Sequence, residues 1–223
     1  MPAQDYLGGY PFAGVTRNPF NYVKFEQIDR DVVTPWLTLD EISQQINLYE
    51  DESQDVYLKS LELAVRQAVE DYLGLSIFPV TYRVWYGTES LISSPVALDL
   101  PEVSQNQYAS QPGVCIDSLK YYNSAVPAVL TTVSASTYQY DPSGNKVIVQ
   151  TLPTDINSSM TAPIVMEYST VANPLQTYPV IKQAGLLLFT HLYNNRSNST
   201  EANLRDIPFG FEHLLKPYKP LVM

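Results

Sequence analysis

The feature of this sequence that most constrains its fold is a pair of helix-forming segments near its two ends. Residues 36–78 and 178–218 carry helical patterns, and about a hundred residues of strand pattern lie between them. Helices so far apart in the chain can bury their apolar faces together only if the two ends meet. The sequence therefore predicts an α+β fold, in which a split helical bundle carries a β insertion.

The first helical segment has clear start and stop signals. Thr38 and Glu41 form a capping-box pattern, which predicts a short helix over 39–47. A longer helix is predicted over 55–73, because Gly74 suits the left-handed position that follows a last turn. Its apolar residues fall on one core stripe: Leu58, Leu61, Val65, Ala68, Val69 and Tyr72.

Two groups of residues on this longer helix lie off the core stripe. Lys59, Arg66 and Glu70 are expected to point away from it, and Glu62–Arg66 and Arg66–Glu70 are pairs of opposite charge four residues apart. Val56 and Leu63 are apolar and point nearly opposite to the stripe. We therefore predict that Val56 and Leu63 form a second packing surface, which contacts an adjacent subunit.

A third helix is predicted over 179–194, with Pro179 in its first turn. Its main stripe is apolar, and further apolar residues cover its other faces: Leu186, Phe189 and Tyr193. Such a helix is buried, either centrally or between subunits, so these three residues are predicted interface residues. Gly185 is expected to mark a close approach of another element. After a polar loop, a last short helix is predicted from Pro208 to about Leu215.

Residues 79–177 change to a β pattern, which predicts an antiparallel sandwich or a barrel-like insertion. The turn Asp141–Asn145 is the clearest hairpin signal, and alternation predicts that Tyr82, Val84 and Tyr86 share one face. The expected strands are short runs rich in β-branched and aromatic residues, at 80–86, 96–100, 118–123, 128–133, 137–141, 146–151 and 163–171.

The two terminal segments are apolar without a regular period. Residues 1–35 form a predicted extended arm, which packs on its own body or on a neighbour or is a disordered leader; its contact residues are Tyr6, Tyr10, Phe12, Phe20 and Tyr22. Residues 218–223 form a predicted tail with Tyr218, Leu221, Val222 and Met223.

The 17 tyrosines fit a protein rich in interfaces, although a tyrosine-rich sheet without a partner would also contain them.

Charge and composition exclude several function classes. The net charge is −10, and no run of Lys and Arg is present, which argues against tight nucleic-acid binding. DNA can still pass close to an acidic wall, and the candidate wall residues are the Glu50–Asp55 turn, Asp99 and Glu102, unless these acids serve only solubility. The N-terminal pattern is not that of a signal peptide, and no apolar stretch reaches the length of a membrane span, so a cytoplasmic protein is expected.

Residues with catalytic potential are sparse. No phosphate-binding glycine loop, H-E-x-x-H or G-x-S-x-G pattern occurs, so no catalytic, cofactor or metal site is predicted. His191 and His213 are expected to be buried or at an interface, and Cys115 to be a small buried side chain. Arg83 and Trp85 on one strand could suggest carbohydrate stacking, but any sandwich can contain such a pair.

Two motifs resemble the head-to-tail connector, or adaptor, proteins of tailed bacteriophages. One is the helix start Leu37–Glu41, and the other is the ending formed by Pro208, Phe209, Gly210, Glu212, Leu214, Leu215, Pro217 and Tyr218. The resemblance covers Leu37–Gly74, Tyr178–Arg196 and Pro208–Tyr218 and implies an assembly role without catalysis. Residues 36–78 with 178–217 would be the adaptor module.

This resemblance implies a dodecameric ring in the virion neck, assembled in the host cytoplasm. The ring would bind the portal above and a tail or tail-completion protein below, and DNA would pass through it without specific binding. The tail, residues 218–223, is then expected to reach the portal. The long β insertion and the aromatic arm depart from smaller family members, so their partners stay open. The alternative is a ligand-binding or glycan-binding β module on a helical scaffold, which requires a concave aromatic cluster.

Overall fold

The computed structural model describes residues 20–48, 52–88, 95–104, 113–195 and 210–219. These residues form two compact units. The β unit contains residues 20–29, 80–88, 95–103 and 113–171, and the helical unit contains the rest of the described residues. The fold is therefore α+β, as the sequence predicts.

The described strands of the β unit form two antiparallel sheets. In chain order the strands are β1 (Tyr22–Arg30), β2 (Val80–Tyr86), β3 (Val96–Asp99), β4 (Val114–Tyr122), β5 (Leu130–Thr132), β6 (Tyr138–Asp141), β7 (Lys146–Val149) and β8 (Ile164–Thr170). One sheet has the order β1-β2-β8-β4-β5, and the other has the order β3-β7-β6. These strands do not close into a barrel, so the barrel-like alternative is wrong.

Seven of these strands follow the predicted runs, whereas β1 lies in the segment predicted to lack a regular period. Tyr22–Arg30 alternates poorly because most of its residues are exposed on both faces. β1 has no continuous apolar face of its own, and it joins the sheet by pairing with the neighbouring strand β2. Elsewhere alternation holds well, and β2 buries Tyr82, Val84 and Tyr86 as expected.

The two sheets bury one common apolar core. The β2–β8 register places Tyr82 opposite Tyr168, and their rings stack with centroids 5.5 Å apart. The Tyr82 hydroxyl donates to the buried Glu102 carboxylate, and the Tyr168 hydroxyl donates to the Glu102 carbonyl at 2.8 Å. These bonds satisfy the polar tips of aromatic side chains that the core would otherwise desolvate at a cost.

The described helices are α1 (Leu39–Ile46), α2 (Asp55–Leu73), α3 (Pro179–Asn194) and α4 (Phe211–Leu215), with short 3₁₀ turns at Glu52–Gln54, Ala135–Thr137, Pro174–Thr177 and Lys216–Tyr218. The capping box of Thr38 and Glu41 is present at the start of α1. Gly74 ends α2 with φ of 68°. These local signals explain why the predicted bounds of the first three helices hold.

The helical unit has one apolar core, to which all four helices contribute. Gly185 of α3 lies where the Trp36 ring crosses the helix, and a Cβ there would be 2.6 Å from Trp36 Cη2 and Cζ3. Trp36 also donates its indole N–H to the Gln176 carbonyl at 3.3 Å. The predicted close approach at Gly185 is thus confirmed, and its partner is the Trp36 indole.

Candidate assembly interface

Two charged residues of α2 bind the backbone of the segment that precedes α1. Arg66 donates to the carbonyl oxygens of Thr34, at 2.8 Å, and Asp31. Glu62 Oε1 accepts from the backbone N–H groups of Trp36, at 2.9 Å, and Leu37, at 3.2 Å. These contacts tie residues 31–37 to one face of α2.

Arg66 and Glu70 do not point into solvent, so that prediction is wrong. Glu62, Arg66 and Glu70 are 4%, 1% and 4% exposed. Glu70 accepts from the Ile77 N–H at 2.8 Å and forms an ion pair with Arg30. The Glu62 carboxylate accepts from backbone N–H groups of the segment 31–37, which covers this face of α2, and the Glu70 carboxylate accepts from the N–H of Ile77, beyond the end of the helix.

The bound segment forms a turn with its own internal hydrogen bonds. Asp31 Oδ1 accepts from the N–H groups of Val33, at 2.9 Å, and Thr34, at 2.8 Å. Hydrogen bonds from the Thr34 side chain and backbone, with the N–H of Val33 and the charge of Arg66, lower the pKa of Asp31 to about 2. The turn is therefore rigidly held, yet it leaves the Val33 side chain 88% exposed.

A groove of about 540 Å³ lies beside this turn within the helical unit. The turn residues Val32 and Val33 form one wall, and Lys59 and Leu63 of α2 form the other. Its base includes Leu37 and Ile42, which are almost fully buried. We call it the α2 groove; its remaining lining residues are Pro35, Thr38, Leu39, Asp40 and Glu62.

The structure places the predicted interface residues of α2 at this groove or close to it along the helix. Leu63 is half-buried and lines the groove, whereas Val56 is 84% exposed one turn beyond Lys59. At about 100° per residue, both lie about 160–180° from Val65, which is in the core. Helical periodicity thus identifies an apolar surface of α2 that is not part of this chain's own core.

The predicted interface residues of α3 divide into two groups. Phe189 is fully buried in the core of its own unit, so its side chain is not accessible to another subunit and its assignment there is corrected. Leu186 and Tyr193 are half-buried. The Tyr193 hydroxyl donates to Gln54 Oε1 at 3.0 Å. Leu186 and Tyr193 stay predictions for the interface.

Most of the predicted arm and tail contacts lie outside the described residues: Tyr6, Tyr10, Phe12, Leu221, Val222 and Met223. Of the arm, Phe20 stacks on Tyr22 with ring centroids 5.4 Å apart, and Tyr22 packs against the core of the β unit. Of the tail, Tyr218 packs on the helical core, with its ring 5.8 Å from that of Tyr178. Tyr218 thus belongs to the helical unit rather than to a projecting tail.

Three other predicted residues are exposed. His191 and His213 are not buried within this chain, so their interface alternative stays a prediction. Cys115 is also exposed, because it lies opposite Ser169 on the outer face of its sheet while the adjacent Val114 takes the buried position.

Two of the acids proposed to line a DNA passage are engaged within the β unit. Asp99 forms an ion pair with Lys146 at 2.9 Å and accepts from the Asn21 N–H at 3.0 Å. Glu102 is 9% exposed and bonds Tyr82. Asp99 is thus ion-paired and Glu102 nearly buried, whereas among the described acids of the turn Glu52 is exposed; the lining of a passage by these acids stays a prediction.

The two residues of the carbohydrate-stacking alternative, Arg83 and Trp85, already contact other side chains of this chain. Arg83 donates to Glu167 at 2.7 Å, and this bond, with nearby Lys120, lowers the pKa of Glu167. The Lys24 ammonium lies 4.6 Å above the centroid of the Trp85 ring. These contacts form a cross-strand network on the outer sheet face, which an ordinary sandwich also contains.

The described residues carry no sign of a metal or membrane site. Within them, no three His, Cys, Asp or Glu side chains cluster closely enough to hold a metal ion. None of the described helices combines the length and the apolar character needed to cross a bilayer. The residues that sequence reasoning missed are Val32 and Val33, whose only signal was two adjacent β-branched residues between Asp31 and Thr34.

Comparison with known proteins supports the resemblance stated above. No protein-family model and no curated protein matches the chain. Among solved structures, a chain from the neck of a native gene transfer agent (GTA) particle, computed with C12 symmetry, is 16% identical with a TM-score of 0.61. A chain from the neck of an empty GTA particle, computed with C6 symmetry, is 18% identical with a TM-score of 0.61.

A third similar chain comes from the virion of a native GTA particle, with 16% identity and a TM-score of 0.60. In all three comparisons the similarity covers 90% of this chain and 97% of the other. At this level of identity the likeness concerns the fold. This chain thus shares its fold, over nearly its whole length, with chains from the neck of a GTA particle, which supports the resemblance given above.

Proposed function

We propose that this chain is a structural neck protein of a phage-like particle, without catalytic activity or cofactor. The observation that carries the proposal is the fold similarity to GTA neck chains over 90% of this chain. Both units take part in that similarity, so it is not limited to a common helical or β module. The split helical bundle, built from α1 to α4, is the adaptor module in this proposal.

The proposed form is a ring of twelve copies between the portal and the tail or a tail-completion protein, with an axial passage for DNA. The twelvefold symmetry of a similar neck supports the ring. The net charge of −10 suits a wall that duplex DNA passes without adhering, because acidic groups do not attract phosphates. The particle would be assembled in the host cytoplasm, and the chain would reside in its neck.

Removing the chain tests this role in the particle. Cells that make the particle without this chain should produce DNA-filled heads that lack tails, because the connecting ring is missing. Electron microscopy of the purified particles counts tailed and tailless heads, and a plasmid-borne copy should restore the tails. Normal numbers of tailed particles in its absence would contradict the adaptor role.

Changing Val56 and Leu63 together to Glu should prevent ring formation. Val56 is 84% exposed and Leu63 only half-buried, so the melting temperature of the monomer should stay within a few degrees of the wild type. Two carboxylates would instead have to be desolvated in the contact between subunits. Native mass spectrometry measures the oligomer. The matched control is Ala68→Glu, which should assemble normally. Ala68 was predicted to lie in the core stripe but is exposed in the structure, on another face of α2. A normal ring from the double variant would end the assignment.

Deleting residues 220–223 should abolish portal binding and leave the body folded. The deletion begins after Lys219 because Tyr218 packs on the helical core. The removed segment contains Leu221, Val222 and Met223, which are costly to leave in water without a partner. Binding to purified portal is measured by sedimentation, and circular dichroism reports the fold. Full binding by the truncated chain would refute the role of the tail.

A further inference from the structure

A closed ring of identical copies needs two different complementary surfaces on each copy, because a head-to-tail contact never joins a patch to itself. The α2 groove is one apolar surface of the helical unit. The outer face of α3 is a second one. Its exposed residues recur with helical spacing: Val180, Gln183, Leu187, His191 and Asn194.

This outer α3 stripe is unusual because none of its five residues is Asp, Glu, Lys or Arg. Exposed helix faces are normally charged, and this chain has 36 charged residues to place. Val180 and Leu187 are 40% and 37% exposed. They lie two turns apart, about 10 Å along the helix. Two partly exposed apolar side chains on a helix face without charged residues suit a surface covered by another protein.

The stripe and the groove are distinct surfaces of the helical unit. The α2 face that carries Val65 and Val69 joins the same core as Ile181 and Leu188 of α3. Leu63 is about 160° around α2 from Val65, and Leu187 is about 240° around α3 from Ile181. Both surfaces therefore point away from the core between the helices. Two distinct surfaces of this kind can join copies head to tail.

The groove is also preorganised within a single copy of the chain. Arg66 and Glu62 hold its wall by four hydrogen bonds to backbone groups of residues 31–37. Val33 thus stands 88% exposed on a turn that needs no ordering when a partner arrives. A wall fixed in this way reduces the entropy cost of binding. Its charged rim, Lys59 and Asp40, meets no like charge on the uncharged stripe.

We propose that the α2 groove of each copy receives the outer α3 stripe of a second copy, with Val180 and Leu187 inserted against Val33 and Leu63. This inference rests on the proposed ring and names its two contact surfaces. Residues 56 and 63 are one side of the contact, and the opposite side is the outer face of α3, not its buried face with Phe189.

A mixing experiment tests the head-to-tail pairing. Val33→Asp damages only the groove and Leu187→Asp only the stripe, and both sites are exposed enough to keep the fold. Each variant alone should need at least about tenfold more protein for half-assembly. An equimolar mixture should form one-to-one dimers and nothing larger, because only one intact groove and one intact stripe remain per pair. Mixtures that stay monomeric, or single variants that assemble normally, overturn the proposal.

Disulfide trapping gives an independent readout. In a Cys115→Ser background, Val33→Cys with Leu187→Cys should give a covalent ladder of oligomers on oxidation, whereas Ala68→Cys with Leu187→Cys should not. A covalent dimer from Leu187→Cys alone would indicate contact between two α3 stripes and overturn the pairing. Faster thiol labelling of Val33→Cys after deletion of residues 220–223 would assign the groove to the tail instead.

Measurements on the wild-type protein distinguish a failure of the proposed interface from a failure of the proposed function. Rings that form, alone or on purified portal, without trapping or complementation, would leave the proposed function intact and refute this interface. No ring under either condition would refute the proposed function itself.

Discussion

Replacing Glu62 by Leu should destabilise the protein by about 3–5 kcal/mol. The Glu62 side chain accepts from the N–H groups of Trp36 and Leu37, and all three residues are nearly fully buried. Leucine fills the space but leaves both N–H groups without an acceptor and removes a negative charge from beside Arg66. For a chain of this size the expected fall in melting temperature is about 6–20 °C.

Two variants show whether the lost acceptor causes this effect. Glu62→Gln keeps an oxygen that can accept from one or both N–H groups, so it should cost clearly less than Glu62→Leu. Asp71→Leu removes an exposed carboxylate from the same helix and should change stability by no more than about 0.5 kcal/mol. Chemical denaturation gives the three free energies of unfolding. Equal stability of Glu62→Leu and wild type would mean that the wall of the α2 groove does not depend on this carboxylate.

Replacing Gly185 by Ala should cost about 1–3 kcal/mol, despite the higher helix propensity of alanine. The new methyl group would lie 2.6 Å from Trp36 Cη2 and Cζ3, which is far inside van der Waals contact. Either the indole or α3 must move, and Trp36 is only 4% exposed in a packed core. The free energy of unfolding measures the cost.

A double-mutant cycle isolates this contact. Trp36→Leu removes the two ring carbons that the methyl group would meet, although it destabilises the protein on its own. In that background Gly185→Ala should become neutral or stabilising by up to about 1 kcal/mol, because only the propensity gain remains. The same cost of Gly185→Ala in both backgrounds would show that its effect does not come from the indole.

Local signals made much of the fold predictable from sequence. The capping box at Thr38, the left-handed Gly74 and Pro179 at the first turn of α3 each act within a few residues, so they fix helix bounds without knowledge of distant partners. Alternation served equally well in β2, where one face is buried. In β1 it failed, because an edge strand exposed on most of both faces carries no alternating signal.

The candidate interface was only half predictable for a similar reason. Val56 and Leu63 stood out because helical periodicity places them opposite the core stripe. Val32 and Val33 gained meaning only from the turn that Arg66 holds, and that contact joins residues more than thirty positions apart. The burial of Arg66 and Glu70 depends on the same covering segment. Long-range contacts of this kind leave no periodic trace in either segment.

The most direct measurement of the central claim is electron cryomicroscopy of the neck of the particle that contains this chain. We expect a closed ring of twelve copies between portal and tail, with an axial passage for duplex DNA and the α2 groove of each copy against α3 of the next. A neck in which this chain is absent, or present only as isolated copies that do not contact one another, would contradict it.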